Sequence, residues 1–181
     1  QGMGGLMSIT GLPGQGPVRV GVPIADLAAG LYTAIGILIA LLQRDVEGKG
    51  QLVHTSLLEA QIAMLDFQAA RWLMGDEVPE QAGNNHPTII PTGTFQTSDG
   101  YINIASGGEQ IWQRICEVLS ANELSDHPHF SGPEVRSKNR EQLNAKLSEY
   151  FLQKSSNEWI EELNEAGVPC GPIYQINEMW V

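Results

Sequence analysis

Polar and apolar positions divide the chain into a long apolar run, a shorter amphipathic tract, a polar crossing and a helical last third. From Gly21 to Leu42 the only charge is Asp26, and Leu27 to Leu42 is uncharged throughout. Apolar character on every side predicts a helix buried all round, not an amphipathic surface helix. Its small residues Ala28, Ala29, Gly30, Ala34, Gly36 and Ala40 leave room for neighbouring elements to approach closely. After the polar turn from Asp45 to Gly50, the stretch from Gln51 to Ser56 reads as a short strand. Ser56 and Glu59 then form a capping box, each side chain satisfying the other residue's backbone N–H. It opens a helix whose apolar residues Leu58, Ile62, Leu65, Ala69, Trp72 and Leu73 keep the helical period. Helix, strand and helix in close order predict an α/β layer.

From Gly75 to Pro91 turn-forming residues dominate, which marks a crossing between two domains, residues 1–83 and 84–181. Beyond it, two β-prone runs ending at Thr97 and starting at Tyr101 flank Ser98-Asp99-Gly100, the pattern of a β-hairpin. Three helices are then expected. The first turns Ile111, Trp112, Ile115, Cys116, Val118 and Leu119 inward. The second, capped by Ser137 or Asn139, turns Leu143, Leu147, Tyr150 and Phe151 inward. The third starts at the capping box Ser155/Glu158, carries Trp159, Ile160 and Leu163, and stops at Gly167. Cys170 to Ile176 reads as extended, and Asn177 as the cap of a further helix cut short at Val181. The glycine-rich opening predicts a short helix near Met3 to Thr10 and then turns. Without a preceding strand or a following Gly-Lys-Ser/Thr, it is not a phosphate-cradling loop.

Charge narrows the function classes. Ten Lys and Arg against 21 Asp and Glu give a net charge of −11, which argues against nucleic acid and anionic membranes as partners. The uncharged run falls short of the ~20 residues that span a bilayer and lacks interfacial Trp and basic flanks, so a core helix is expected. Cys116 and Cys170 have no Cys-x-x-Cys spacing and no nearby His pattern. They read as free thiols in a reducing, cytoplasmic compartment, with no metal site. The start, Gln1-Gly-Met-Gly-Gly, shows no signal-peptide pattern, and the chain reads as truncated at both ends.

Among the acidic residues Asp26 stands apart because its neighbours are apolar. At the head of a helix, unpaired N–H groups and the helix dipole favour a negative charge, so Asp26 is either a cap or a working group. His54, on the expected strand, reads as a half-buried structural histidine. His86 lies in the loop Asn84-Asn85-His86-Pro87 between the two halves, where it either builds a turn or faces a cleft. His127 and His129 have no partner at usable spacing, and no Ser-His-Asp order, Cys-His pair or metal-ligand cluster is readable.

The run from Arg19 through Asp26 to Leu38, closed by Glu47-Gly-Lys-Gly-Gln51 and Ser56-Leu-Leu-Glu-Ala60, resembles the class III CoA-transferase family, the CaiB/BaiF group. Three more segments match in order: Asn85-His-Pro-Thr-Ile-Ile-Pro-Thr-Gly93, Thr97-Ser-Asp-Gly-Tyr-Ile-Asn-Ile-Ala105 and Ala166-Gly-Val-Pro-Cys-Gly-Pro-Ile173. The resemblance implies an α/β fold. Residues 1–83 would be part of a Rossmann-like large domain, and 84–181 a small α+β domain with a β-hairpin and several helices. It implies a homodimer of interlocked subunits and a polypeptide about twice this length, of which this chain is an internal fragment, inactive alone. Asp26 would be the nucleophile that carries CoA as an aspartyl thioester between carboxylic acids. CoA and acyl-CoA would be substrates, with no bound cofactor and no metal. The segment from Gly83 to Gly93, with Asn85, His86 and Pro87, would occupy the place of the family's mobile substrate loop. Its lack of an all-glycine run sets it apart from formyl-CoA transferases. The alternatives are an α-methylacyl-CoA racemase, in which the matching aspartate works as an acid/base, and a non-catalytic structural or assembly module.

Overall fold

Glycine and proline break up the first twenty residues, and only Leu6–Ile9 (α1) forms a helical turn there. The computed structural model describes residues 1–180, which divide into a unit Gln1–Gly83 and a unit from Asn84 onward. In the first unit the apolar run folds as α2 (Ile24–Glu47), followed by α3 (Leu57–Ala63) and α4 (Phe67–Gly75). Gly48 ends α2 in the left-handed conformation, its N–H returning to Arg44 O at 2.7 Å.

Three expectations for this unit are corrected. The apolar helix is not buried all round: Ala28 is its buried residue, while Leu31, Leu38 and Leu42 are 63%, 61% and 70% exposed. The reason is length, since α3, of about 10 Å, packs against a helix of about 36 Å. Close approach is realised at Gly36, where a Cβ would stand 2.7 Å from Val53 Cγ1, but Gly30 faces open space. By length and composition α2 could cross a membrane, with a mean hydropathy of 2.0 over its best window, a property that core helices of soluble proteins share. Second, no strand forms from Gln51 to Ser56. A strand exists only through a paired neighbour, and the first unit has no strand among its described residues to pair with. Third, the helix after Ser56 is interrupted at Met64 to Asp66. Asp66 takes φ 48° and ψ −127°, and the turn closes with Gln68 N–H donating to Leu65 O at 3.0 Å. The Ser56/Glu59 capping box is present as expected.

The second unit is built on a three-stranded antiparallel sheet in the order β1 (Gly93–Gln96), β2 (Tyr101–Ile104), β3 (Cys170–Pro172). Gly93 faces Ile104 and Gln96 faces Tyr101, so the hairpin forms where its pattern predicts, but its connection is the four residues Thr97 to Gly100, with Thr97 N–H donating to Gly100 O at 2.9 Å. Alternation decides which residues enter the core: Ile102 and Ile104 are buried, Tyr101 and Asn103 exposed. The helices are α5 (Glu109–Val118), α6 (Asn122–Ser125), α7 (Pro133–Lys138), α8 (Arg140–Phe151) and α9 (Ser156–Glu165). Their inward residues Trp112, Ile115, Cys116, Leu143, Leu147, Phe151, Trp159 and Leu163 join Phe95 and the β2 isoleucines in one core. Phe151 centres an aromatic group, 5.0 Å from the Phe95 ring and 5.4 Å from that of Trp159. The hairpin turn is locked to α9, because Asp99 Oδ1 accepts from Ser156 N–H at 2.8 Å and Oγ at 3.0 Å. These bonds hold the Asp99 carboxyl below the usual carboxylate range.

The Ser155/Glu158 capping box and the stop at Gly167, with φ 73°, match expectation. Two end signals differ. Asn139 occupies the N-cap of α8, but its side chain donates instead to His129 O and Val135 O, at 3.2 and 2.9 Å. Asn177 is no cap: Ile176–Trp180 is a 3-10 turn, with Glu178 Oε2 accepting from Gln175 N–H at 2.6 Å.

Candidate active site

Pro23 sets the position of Asp26. With φ −75° and ψ 64° it centres an inverse γ-turn, in which Ile24 N–H donates to Val22 O at 2.8 Å. The first helical bond, Leu27 N–H to Pro23 O at 3.0 Å, follows. Asp26 is thus the third residue of α2, and the Ala25 and Asp26 amides are first-turn donors without a backbone acceptor. The N-cap, Pro23, receives no side-chain bond, so Asp26 does not serve as a cap. The carboxylate is exposed, in contrast to the poorly hydrated position expected of a buried helix.

Asp26 lines a cleft of about 530 Å³ together with Arg19, Ala25, Gln1, Gly4 and Gln61. Gln61, on α3, is 2% exposed and donates from Nε2 to Gln1 O at 3.3 Å. A Cβ at Gly4 would collide with the Gln61 amide, so any larger residue there would have to displace that side chain. Gln1 continues the chain of bonds. Its Oε1 accepts from Val20 N–H at 2.9 Å, and its Nε2 donates to Val22 O at 3.3 Å. One polar relay therefore ties α3 to the segment that delivers Asp26. Sequence reasoning did not single out Gln1, Gly4, Arg19 or Gln61 as site residues. A single readable signal was Gln61 itself, a polar residue inside an apolar helical stretch.

Asn85, His86 and Pro87 belong to the second unit, and the structure brings these three together in one tethered loop. His86 N–H donates to Thr92 O at 2.8 Å, and its Nδ1 accepts from the amides of Thr88 and Ile89 at 3.2 and 3.0 Å. Burial, followed by the nearby Arg140 cation, pushes His86 below the usual histidine range. Asn85 Oδ1 accepts from Asn144 Nδ2 at 2.9 Å, and Pro87 O accepts from Arg140. Gly93 closes the loop, since a Cβ there would stand 2.7 Å from Asn84 O. Of the two readings open for His86, turn-building describes these bonds. His54 lies on the unpaired extended segment and is exposed, not half-buried as expected. Among the described residues no group of three or more His, Cys, Asp or Glu could hold a metal ion. Burial pushes the Cys116 thiol up to about 12 and that of Cys170 to about 11.

Comparison with known proteins places this geometry in a family. The chain is 36% identical over 176 residues to succinyl-CoA:glutarate CoA-transferase of Homo sapiens, covering 97% of this chain and 40% of that protein. It is 32% identical over 179 residues to acetyl-CoA:oxalate CoA-transferase of Acetobacter aceti, covering 98% and 46%. It thus spans less than half the length of these relatives. A CAIB/BAIF family protein from Brucella suis superposes with a TM-score of 0.79 at 37% identity, over 99% of this chain and 48% of that one. Rv3272 of Mycobacterium tuberculosis, at 22% identity and a TM-score of 0.84 over 98% and 46%, shares the fold. The family model described as CoA-transferase family III matches residues 1–180, and the chain belongs to that family.

Proposed function

We propose that Asp26 is the nucleophile of a CoA-transferase that moves CoA between carboxylic acids. The observation that carries this reading is the seat of Asp26: an uncapped, accessible carboxylate beside two unpaired helix amides, at the wall of a cleft, in a family whose relatives above are named CoA-transferases. An Asp26 oxygen attacks the donor thioester carbonyl, and CoA leaves as thiolate, giving a mixed anhydride. The thiolate then attacks the aspartyl carbonyl of the anhydride, releasing the donor carboxylate and leaving an aspartyl-CoA thioester. An acceptor carboxylate attacks that thioester and expels the thiolate again. The thiolate takes the acceptor's acyl carbon, and Asp26 returns as carboxylate.

The amides of Ala25 and Asp26 suit the developing oxyanion, where one such donor is typically worth about 3 kcal/mol. Exclusion of water would protect the anhydrides from hydrolysis. In this reading residues 1–83 are part of a Rossmann-like large domain, and 84–181 a small domain whose loop at Asn85, His86 and Pro87 approaches the substrate. The working protein is a cytoplasmic, interlocked homodimer of longer chains. Its remaining parts, not lipid, cover the apolar surface of α2, and neither nucleic acid nor membrane is a partner. CoA and acyl-CoA are substrates, and no cofactor is bound. Residues 1–181 alone turn over negligibly; measurable turnover by them would overturn that part.

The test is to incubate the full-length protein with an acyl-CoA, digest it, and weigh the peptide holding Asp26. A CoA adduct there, absent in Asp26→Asn, supports the reading. No adduct, with deuterium uptake at the α-carbon of a branched acyl-CoA in heavy water, would select the racemase alternative. Neither outcome, in a folded dimer, would leave a structural module.

A further inference from the structure

We infer that Arg19 is the anion-binding residue of the Asp26 cleft, taking a carboxylate or phosphate oxygen of the substrate. This rests on Asp26 being the reacting group.

The chain is strongly acidic, with a net charge of −11, yet both proposed substrates are anions. A cation in the cleft would offset that repulsion locally. The first unit holds four Lys and Arg residues, Arg19, Arg44, Lys49 and Arg71. Arg44 is paired with Asp45, and Arg71 with Glu77. Lys49 stands in the turn after α2 and lines no part of the cleft. Arg19 lines the same cleft as Asp26, is exposed, and makes no ion pair or side-chain hydrogen bond among the described residues.

The backbone around Arg19 is held on both sides. Val18 N–H donates to Thr10 O at 3.3 Å, and Val20 N–H donates to Gln1 Oε1 at 2.9 Å. Val18 is also seated against Gly11, where a Cβ would stand 2.6 Å from Val18 Cγ2. Val18 therefore packs its side chain on Gly11 while Arg19, next to it, lines the cleft. A guanidinium delivered from a fixed backbone, with its donors unspent, suits the two oxygens of a carboxylate or phosphate. Carboxylate and phosphate come from different substrates, the acid and CoA, and kinetics separates them.

The experiment compares wild type, Arg19→Gln and Arg19→Lys in the full-length protein, varying the acid and the acyl-CoA independently. The CoA adduct on the Asp26 peptide is followed as a second readout. Arg19→Gln should raise KM about tenfold for one substrate with kcat little changed, as loss of a charge-assisted hydrogen bond predicts, and Arg19→Lys should restore part of it. A rise for the acid alone assigns Arg19 to the carboxylate, and a rise for acyl-CoA alone assigns it to a phosphate. In either case the adduct still forms at saturation. Unchanged KM for both substrates, with the wild-type adduct present, would overturn the role of Arg19 and leave Asp26 standing. No adduct in wild type would instead remove the nucleophile reading on which the inference rests.

Discussion

Glu109→Gln should destabilise the second unit by about 2 kcal/mol. Arg136 is 2% exposed, so its guanidinium has left water, and it is held by Glu109 at 2.7 and 3.2 Å, by Phe130 O at 2.8 Å and by the Trp112 ring, 5.1 Å away. At an effective dielectric near 20, charges roughly 4 Å apart attract by about 4 kcal/mol. Glu109 is 46% exposed, and water at that end screens roughly half, leaving about 2 kcal/mol. The single substitution mixes this energy with whatever the new amide does, so a double-mutant cycle with Arg136→Met is needed. Methionine also leaves Phe130 O without its donor, but that loss is common to both arms of the cycle and cancels. Urea unfolding followed by tryptophan fluorescence gives each stability, with an unchanged m confirming the same unfolding reaction. The coupling should be about 2 kcal/mol. A coupling under about 0.3 kcal/mol would refute the claim that this half-buried pair holds α7 to α5.

The two thiols should react with iodoacetamide at pH 8 far more slowly than a free cysteine, because burial places Cys116 at about 12 and Cys170 at about 11; peptide-like labelling rates would contradict this. Depression of His86 means its neutral ring is the form the loop holds. The loop's stabilisation is then complete above about pH 6.5 and is lost as pH falls through the lowered value. An NMR titration of the ring with its midpoint at or above about 6.5 would reverse the argument. Gly93→Ala forces a Cβ to within 2.7 Å of Asn84 O. It should cost about 1–3 kcal/mol and strip hydrogen-exchange protection from the His86 amide; retained protection would contradict the close approach.

What was legible in the sequence was local. The hairpin at Asp99 is a period-2 pattern closed over four residues, and the capping boxes at Ser56 and Ser155 work over three positions. Helical spacing alone found Trp112, Ile115, Leu143, Leu147 and Phe151, because each helix of the second unit buries one face. What escaped depended on distant partners or on conformations that composition does not encode. The segment from Gln51 to Ser56 looks like a strand, but pairing requires a neighbour that spacing cannot supply. Asp66 breaks the following helix through a positive φ that an aspartate reaches without any glycine signal. The apolar run identified α2 but not how much of it this chain covers. For Asp26, residue reasoning left cap and working group open, and the ordered family segments pointed to the second. The Gln61–Gln1–Val20 relay joins residues far apart in the chain, so no local pattern announced it.

The central claim, that Asp26 is acylated during turnover, is tested most directly with an acceptor acid whose carboxylate oxygens are heavy. In the proposed sequence the acceptor oxygen bridges the second anhydride, and cleavage by the CoA thiolate leaves that oxygen on Asp26. A single turnover followed by digestion should therefore place one heavy oxygen in the peptide containing Asp26. New acyl-CoA formed with only ordinary oxygen at Asp26 would contradict the account.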